Sequence, residues 1–325
     1  MKQLGVVVIG RNEGERLRRC LESMSGMGPV VVYVDSGSTD GSVEMARSRG
    51  VEVVALDMSV PFTAARARNA GFARLRQVSP DIEFVQFVDG DCEVIDGWLQ
   101  DAMSFLQDRA DVSCVCGRLR ERFPERSVYN RLCDFEWDRA PGETEACGGI
   151  AMMRAAVFQE MGAFREDMVA GEEPELCQRM RAKGWKIWRL PSAMAWHDAA
   201  MLRFGQWWKR SKRTGFGNAQ RLWLTGRDTD ASIVKQSLRT WLWAVLLPLV
   251  SLAGVIRFGR LGLLLLLLYP LQVLRIAVAM DRGWRFNLER GFFLVLGKFP
   301  ELVGQIQFWM GHKKRQGSTT FDYKS

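Results

Sequence analysis

Phe84-Val85-Gln86-Phe87-Val88-Asp89-Gly90-Asp91 runs from an apolar segment straight into two carboxylates separated by one glycine. A continuous apolar run of this length reads as a strand buried on both faces, the kind found in parallel α/β sheets. Ligands of such sheets sit in the crevice beyond the strand carboxyl ends, where a pair of acids can hold a hard divalent cation against a phosphate. Asp-Gly is also ordinary turn chemistry. The surrounding sequence decides between the two.

Upstream, strand and helix patterns alternate. Gly5 to Gly10 is an apolar strand, and Glu13 to Met24 places Leu17, Cys20, Leu21 and Met24 on one helical face. Val30 to Val34 and Val51 to Leu56 read as further strands, with helices over Gly41 to Gly50 and Phe62 to Gln77. This alternation predicts an α/β fold, a mainly parallel twisted sheet flanked by helices. The first turn, Gly10-Arg11-Asn12-Glu13-Gly14, lacks the dinucleotide fingerprint, which disfavours a dehydrogenase. Asp35 ends the second strand as Asp89 ends the fourth, where a carboxylate can meet a ribose or a base edge. Ser38, Thr39 and Asp40 read as caps of the next helix.

Charge divides the 325 residues unevenly. Residues 1–202 hold 25 Lys+Arg against 31 Asp+Glu, while residues 203–325 hold 20 against 6. No charge occurs between Thr240 and Ile256, and Leu261 to Met280 has only Gln272 and Arg275 among apolar residues. Arg257-Phe258-Gly259-Arg260 joins the two stretches as a turn, so residues 240–280 read as a hydrophobic helical hairpin. Basic residues crowd both flanks (Lys209, Arg210, Lys212 and Arg213 before it, Arg282, Arg285, Arg290 and His312-Lys313-Lys314-Arg315 after it), which predicts that the N-terminal domain lies on the cytoplasmic face. Residues 203–239 read as a basic, aromatic linker whose Trp207 and Trp208 meet membrane or acceptor. Residues 281–325 read as an interfacial helix, broken near Pro300, with a basic tail. Charges that flank apolar spans do not line a groove, so a nucleic-acid partner is not expected. No signal peptide is read ahead of the first strand. Seven scattered cysteines, with only a C-x-C at Cys114 and Cys116 and two histidines, suggest core thiols in a reducing compartment rather than a zinc site.

Six segments in order, Val7-Val8-Ile9-Gly10-Arg11-Asn12-Glu13, Val34 to Gly41, Ala67-Arg68-Asn69-Ala70-Gly71, Phe87-Val88-Asp89-Gly90-Asp91, Cys147-Gly148-Gly149 and Gly171-Glu172-Glu173-Pro174-Glu175-Leu176, make residues 4–200 resemble family 2 glycosyltransferases of the GT-A fold. The resemblance implies a catalytic domain over 1–202 and a nucleotide-sugar donor held by Arg11, Asn12, Glu13, Asp35, Arg68, Asn69, Asp89, Gly148 and Gly149. It implies Mg²⁺ or Mn²⁺ on Asp91, with Asp89 and His197 beside it. It implies a base in the acidic motif, which departs from the family's usual Glu-Asp: Glu173 inherits the role, with Glu172 and Glu175 as alternatives. The expected reaction is inverting transfer to a hydroxyl of a polysaccharide or lipid-linked glycan at membrane lipids. A polyprenyl-phosphate sugar synthase, or a non-catalytic nucleotide-sugar-binding membrane protein, is the alternative.

Overall fold

A computed structural model describes residues 4–25, 30–226 and 230–313. Lys314 and Arg315 of the basic tail lie outside the described residues. The chain separates into two compact units, residues 1–202 and 203–325.

The first unit is a mixed sheet between two helical layers. β1 (Leu4–Gly10) is flanked by β2 (Val30–Asp35) and β4 (Phe84–Asp89), with β3 (Glu52–Ala55) beyond β2, all parallel. The intervening helices are α1 (Glu15–Glu22), α2 (Ser42–Ser48) and α3 (Ala64–Val78). α3 starts where the Thr63 hydroxyl accepts from the Arg66 amide, relieving one of the orphan donors of a helix N-terminus. On the other side of β4 the sheet departs from the mainly parallel expectation. β8 (Ala151–Arg154) is antiparallel to both β4 and β6 (Val112–Glu121), and β6 is parallel to β9 (Lys186–His197). The short β5 (Cys92–Val94) and β7 (Gly142–Glu143) add antiparallel to β9. The order is β3-β2-β1-β4-β8-β6-β9-β5.

Alternation along β1 divides the core. Val6 and Val8 pack with Leu17 of α1 and with Trp98, Leu99 and Leu106 of α4 (Trp98–Asp108) on one face. Val7 and Ile9 pack with Phe72 and Leu75 of α3, Phe158 of α6 (Ala155–Glu160) and Leu176 and Met180 of α7 (Glu172–Ala182) on the other. Both faces of the central strands are dry, which is why their sequences read as unbroken apolar runs. Gly71 marks the closest helix-to-sheet approach: a Cβ there would stand 2.3 Å from Val7 Cγ1 and 2.8 Å from Val34 Cγ2. The register puts Asp35 beside Gly10 and Asp89 beside Ile9, so three strand ends open on one crevice.

The second unit is helical. α8 (Phe204–Thr225) crosses α13 (Lys298–Lys313) at two glycines; a Cβ on Gly215 would meet the Glu301 carbonyl oxygen and one on Gly304 that of Lys212, each at 2.0 Å. Such contact lets helices meet backbone to backbone. Trp207 is buried edge-on against Phe293 of α12 (Trp284–Leu296), 5.0 Å between centroids, so this tryptophan serves packing within the unit. The chain breaks between α12 and α13 at Gly297. Pro300 explains the break, since it cannot donate to the Leu296 carbonyl and its ring would clash there.

One helical run, Ala231–Val278, is long and apolar enough to cross a membrane, with mean hydropathy 2.1 in its most apolar window, of which 11 % is buried. Within it the chain doubles back. α9 (Ala231–Trp241) leads through a π-helical segment at Leu242–Leu246 into α10 (Leu247–Phe258), a register change that accommodates Pro248. Gly259 then takes φ +65°, a 3₁₀ stretch follows, and α11 (Leu268–Val278) returns. The Ser251 hydroxyl donates to the Gly262 carbonyl at 2.9 Å, and the Tyr269 hydroxyl to the Trp243 carbonyl at 2.6 Å. The charge-poor part of the first arm, residues 240–258, is about 29 Å long, and the returning arm, residues 259–278, about 35 Å.

Candidate functional site

The crevice is furnished from loops that leave β1, β2 and β4. Glu13 is 5 % exposed, and its stem runs between Gly10 and Gly90, where added Cβ atoms would come within 3.1 and 3.3 Å of its Cγ. Arg16 holds its carboxylate at 2.7 Å. Asp35 is engaged at both oxygens: one accepts from the Tyr33 hydroxyl, the other from the amides of Gly37 and Ser38, each at 2.9 Å. Asn12, at φ +54°, joins two loops, its amide donating to the Ser38 hydroxyl and its Oδ1 accepting from the Thr39 amide. Its neighbour Arg11 is exposed on the same loop. Asn12 thus shapes the crevice as a clamp between loops, a role its place in a donor-binding motif does not reveal.

The strongest local interaction centres on Arg68, which is 3 % exposed. Its Nη2 donates to Asp89 Oδ1 at 2.8 Å and its Nη1 to Glu172 Oε1 at 2.6 Å. Burial alone would lower the guanidinium pKa, but the two carboxylates outweigh it and raise it. The planar fork of arginine is what allows one side chain to serve acids from a strand end and a helix start. Gly149 lies against this fork: a Cβ there would stand 2.6 Å from Arg68 Nη2. Its neighbour Gly148 has φ +109°, a conformation that favours glycine. Asn69, next to Arg68, is occupied elsewhere, exchanging hydrogen bonds with the Phe164 backbone and donating to Glu166.

α7 brings three acids to the site, and each has a different partner. Glu172 meets Arg68, which is its only partner among the described residues. Glu173, 2 % exposed, turns to the loop before β8 and accepts from the amides of Cys147 and Gly148, both at 2.8 Å, and from the Cys177 thiol at 2.9 Å. Burial raises its pKa, while these donors pull it back. Glu175 is paired with Arg179 at 2.8 Å. Helix position does not distinguish the three; their partners do.

Asp91 and His197 meet where β5 pairs with β9, with Nε2 3.4 Å from Oδ1. Two donors on one cation, each at about 2.0–2.2 Å, lie about 3 to 3.5 Å apart, so this separation suits two ligands of one ion. The buried Nδ1 of His197 has no hydrogen-bond partner, and the Trp137 ring at the end of α5 (Val128–Trp137) stands edge-on at 4.8 Å. Burial would lower the imidazole pKa, but the Asp91 carboxylate raises it. A carboxylate and an imidazole, with the Cys92 thiol donating to Asp91 Oδ1 at 3.6 Å, fit Mn²⁺ or Mg²⁺, whose other ligands phosphate oxygens would supply. Asp89 is turned to Arg68, although its side chain keeps 35 % of its surface exposed and Oδ2 remains available to a ligand. Sequence reasoning missed the Arg68 bridge, whose Glu172 partner lies 104 residues away, and Trp137, which no motif contains.

Residues 5–162 match the family model of glycosyl transferase family 2. Among curated proteins, glycosyltransferase AglE of Haloferax volcanii is 23 % identical over 258 residues, 75 % of this chain and 81 % of that protein. The pre-mycofactocin glycosyltransferase of Mycobacterium tuberculosis is 26 % identical over 213 residues, 61 % of this chain and 43 % of its own length. Among solved structures, the mannosyltransferase PcManGT from Pyrobaculum calidifontis, in complex with GDP-Man and Mn²⁺, shares the fold with TM-score 0.63 and 17 % identity, over 94 % of this chain and 87 % of that one. TarS 1-349 of S. aureus, in complex with UDP-GlcNAc, follows with TM-score 0.51 and 15 % identity, over 97 % and 92 %.

Gly149→Ala is expected to push the Arg68 fork off Asp89 and Glu172. Misplacement of this order lowers kcat/KM by about 10²-fold. A folded Gly149→Ala protein with unchanged kcat/KM would show that the close approach has no functional role.

Proposed function

We propose that this chain, a glycosyltransferase of family 2, moves a sugar from a nucleotide-sugar to an acceptor hydroxyl with inversion, using a divalent cation at Asp91 and His197 and Glu172 as base. The observation that carries the choice of base is the division of partners in α7. Glu173, the residue expected from the motif, has its carboxylate occupied by the Cys147 and Gly148 amides. Glu172 is held by Arg68 through Oε1 alone, beside Asp89, so Oε2 can take a proton from an attacking hydroxyl. General-base assistance of this kind contributes about 10²–10⁴-fold.

When bound, a cation at Asp91 and His197 would supply Lewis-acid neutralisation of the diphosphate leaving group. Glu13 and Asp35 border the nucleoside end of the crevice. Gly149 leaves room for the sugar where a Cβ would collide with Arg68, and Gly148, at φ +109°, turns the loop there. Arg68 fixes Asp89 relative to Glu172, which sets the distance from leaving group to base. A single in-line displacement between these two ends inverts the anomeric carbon. The GDP-Man and Mn²⁺ complex of PcManGT supports the donor class and the metal.

A second reading follows from the same acids. All three in the first turn of α7 already have partners, and a phosphate acceptor, as in a polyprenyl-phosphate sugar synthase, needs no base. Glu172→Gln separates the two: a loss of about 10²-fold or more in kcat with donor affinity retained supports a hydroxyl acceptor, whereas unchanged kcat favours a phosphate. In either case chelation is expected to abolish turnover, with recovery on adding Mn²⁺ or Mg²⁺. Full activity in chelator would remove the metal from the mechanism.

The apolar arms of residues 240–278 present Leu249, Leu252, Ile256, Leu263 and Leu267 to the outside, a surface that water does not tolerate at this size. We assign them to the membrane, with the basic flanks and the catalytic unit on its cytoplasmic face and a glycan or lipid-linked acceptor reached there. The full chain is expected to stay in membranes washed with high salt or alkaline carbonate and to leave them only in detergent. Release by salt would reduce the attachment to headgroup contact.

A further inference from the structure

Beside the glycine loop, three thiols and a carboxylate converge. Cys114 comes from β6, Cys147 from the loop before β8, and Cys177 and Glu173 from α7. Cys114 Sγ lies 3.6 Å from Cys147 Sγ, and Cys177 Sγ lies 2.9 Å from Glu173 Oε1. The donor atoms of Cys114, Cys147 and Glu173 all fall within 4.8 Å of one another, and Cys177 joins the group through Glu173. Cys114 and Cys177 are fully buried, whereas Cys147 is partly exposed.

We propose that Cys114, Cys147, Cys177 and Glu173 form a binding site for one thiophilic divalent ion of the zinc class, separate from the site at Asp91 and His197. The argument is geometric. Tetrahedral zinc carries sulfur at about 2.3 Å, which sets neighbouring sulfurs about 3.8 Å apart. The observed 3.6 Å between Cys114 and Cys147 is already close to that edge. For both to bind, Cys177 and Glu173 open from 2.9 Å to about 3.5 Å, and Cys177, which stands outside the group of donors within 4.8 Å, must turn toward Cys114 and Cys147. At the three cysteine positions packing alone would be served as well by alanine or valine. Sequence spacing concealed the set, because its members come from three separate elements and only the C-x-C at Cys114 and Cys116 stands out.

Redox chemistry fits less well. Burial holds the Cys114 and Cys147 thiols well above the usual range, so the thiolate that would attack a peroxide is scarce. A metal ion removes the protons itself: binding forms three metal–sulfur bonds and one metal–oxygen bond and releases three protons to solvent, leaving the ligand set with a net charge of −2. Glu173 is the second residue of α7, so the positive end of an 11-residue helix faces that charge. Glu173 also links the ion to the donor side, since the amides it holds belong to Cys147 and Gly148. An occupied site would pin the loop that carries Gly149 against Arg68.

The test uses the full chain in detergent with excess Mg²⁺ to fill the harder site. Titration with Cd²⁺ is expected to saturate at one equivalent, with the ultraviolet thiolate-to-cadmium absorption of three thiolates. X-ray absorption of the zinc form should count three sulfur scatterers at about 2.3 Å. Cys114→Ser and Cys177→Ser, each shown to be folded by its melting curve, should drop the count to two, and Cys92→Ser should leave it at three. The sulfur count of the unmodified protein stands without any variant. No thiolate band at one equivalent, or a one-thiolate signal that disappears in Cys92→Ser, would overturn the proposal.

Discussion

The buried guanidinium of Arg68 ties the first unit together at its working end. It joins Asp89, where β4 stops, to Glu172, where α7 begins, and it forbids a side chain at Gly149. Removing one member of a buried charge cluster costs about 3–5 kcal/mol, because the partners stay behind uncompensated, although the partial exposure of Asp89 softens this. The rest of the crevice depends on that clamp. β4 carries Asp89 and, one turn later, Asp91; α7 carries Glu172 and Glu173; and Arg68 sets the spacing between them. Asp89 and Glu172 are thereby held at a fixed separation by a single side chain.

How much of this was legible in the sequence varies by element, for physical reasons. β1, β2 and β4 are largely buried and announce themselves as apolar runs, so the α/β fold and its parallel half follow directly. β5, β7 and β8 span two to four residues and carry no periodic signal, and the antiparallel half of the sheet depends on them. In the crevice, Asp91 and His197 stand together as a metal site requires. Asn12 and Asn69 bear motif positions but spend their amides on neighbouring loops, and Asp35 is engaged by its own turn. Glu173 faces the loop while Glu172 faces Arg68, a distinction set by a partner in another helix that no spacing within the motif encodes.

The second unit obeys different physics. Its glycines are packing devices: Gly215 and Gly304 bring two helices together, and Gly262 fits where a Cβ would reach within 2.1 Å of the Val255 amide nitrogen. Apolar side chains that would be buried in a soluble core face outward along α10 and α11, while polar ones turn in. The Thr240 hydroxyl donates to Glu301 at 2.7 Å, Lys298 pairs with the same carboxylate at 2.7 Å, and the Trp241 indole donates to Gln305 at 3.0 Å. Polar side chains turned inward and apolar ones outward are the arrangement that a lipid solvent favours.

The account stands most directly on one structure determination, of the full chain with a nucleotide-sugar and Mn²⁺, using anomalous scattering to locate the metal. Manganese bound to Asp91 and His197 Nε2 against the diphosphate, with the anomeric carbon facing Glu172 and Glu173 still on the Cys147 and Gly148 amides, is the predicted result. A Glu173 carboxylate released from that loop and turned to the sugar, or manganese bound without His197, would contradict it.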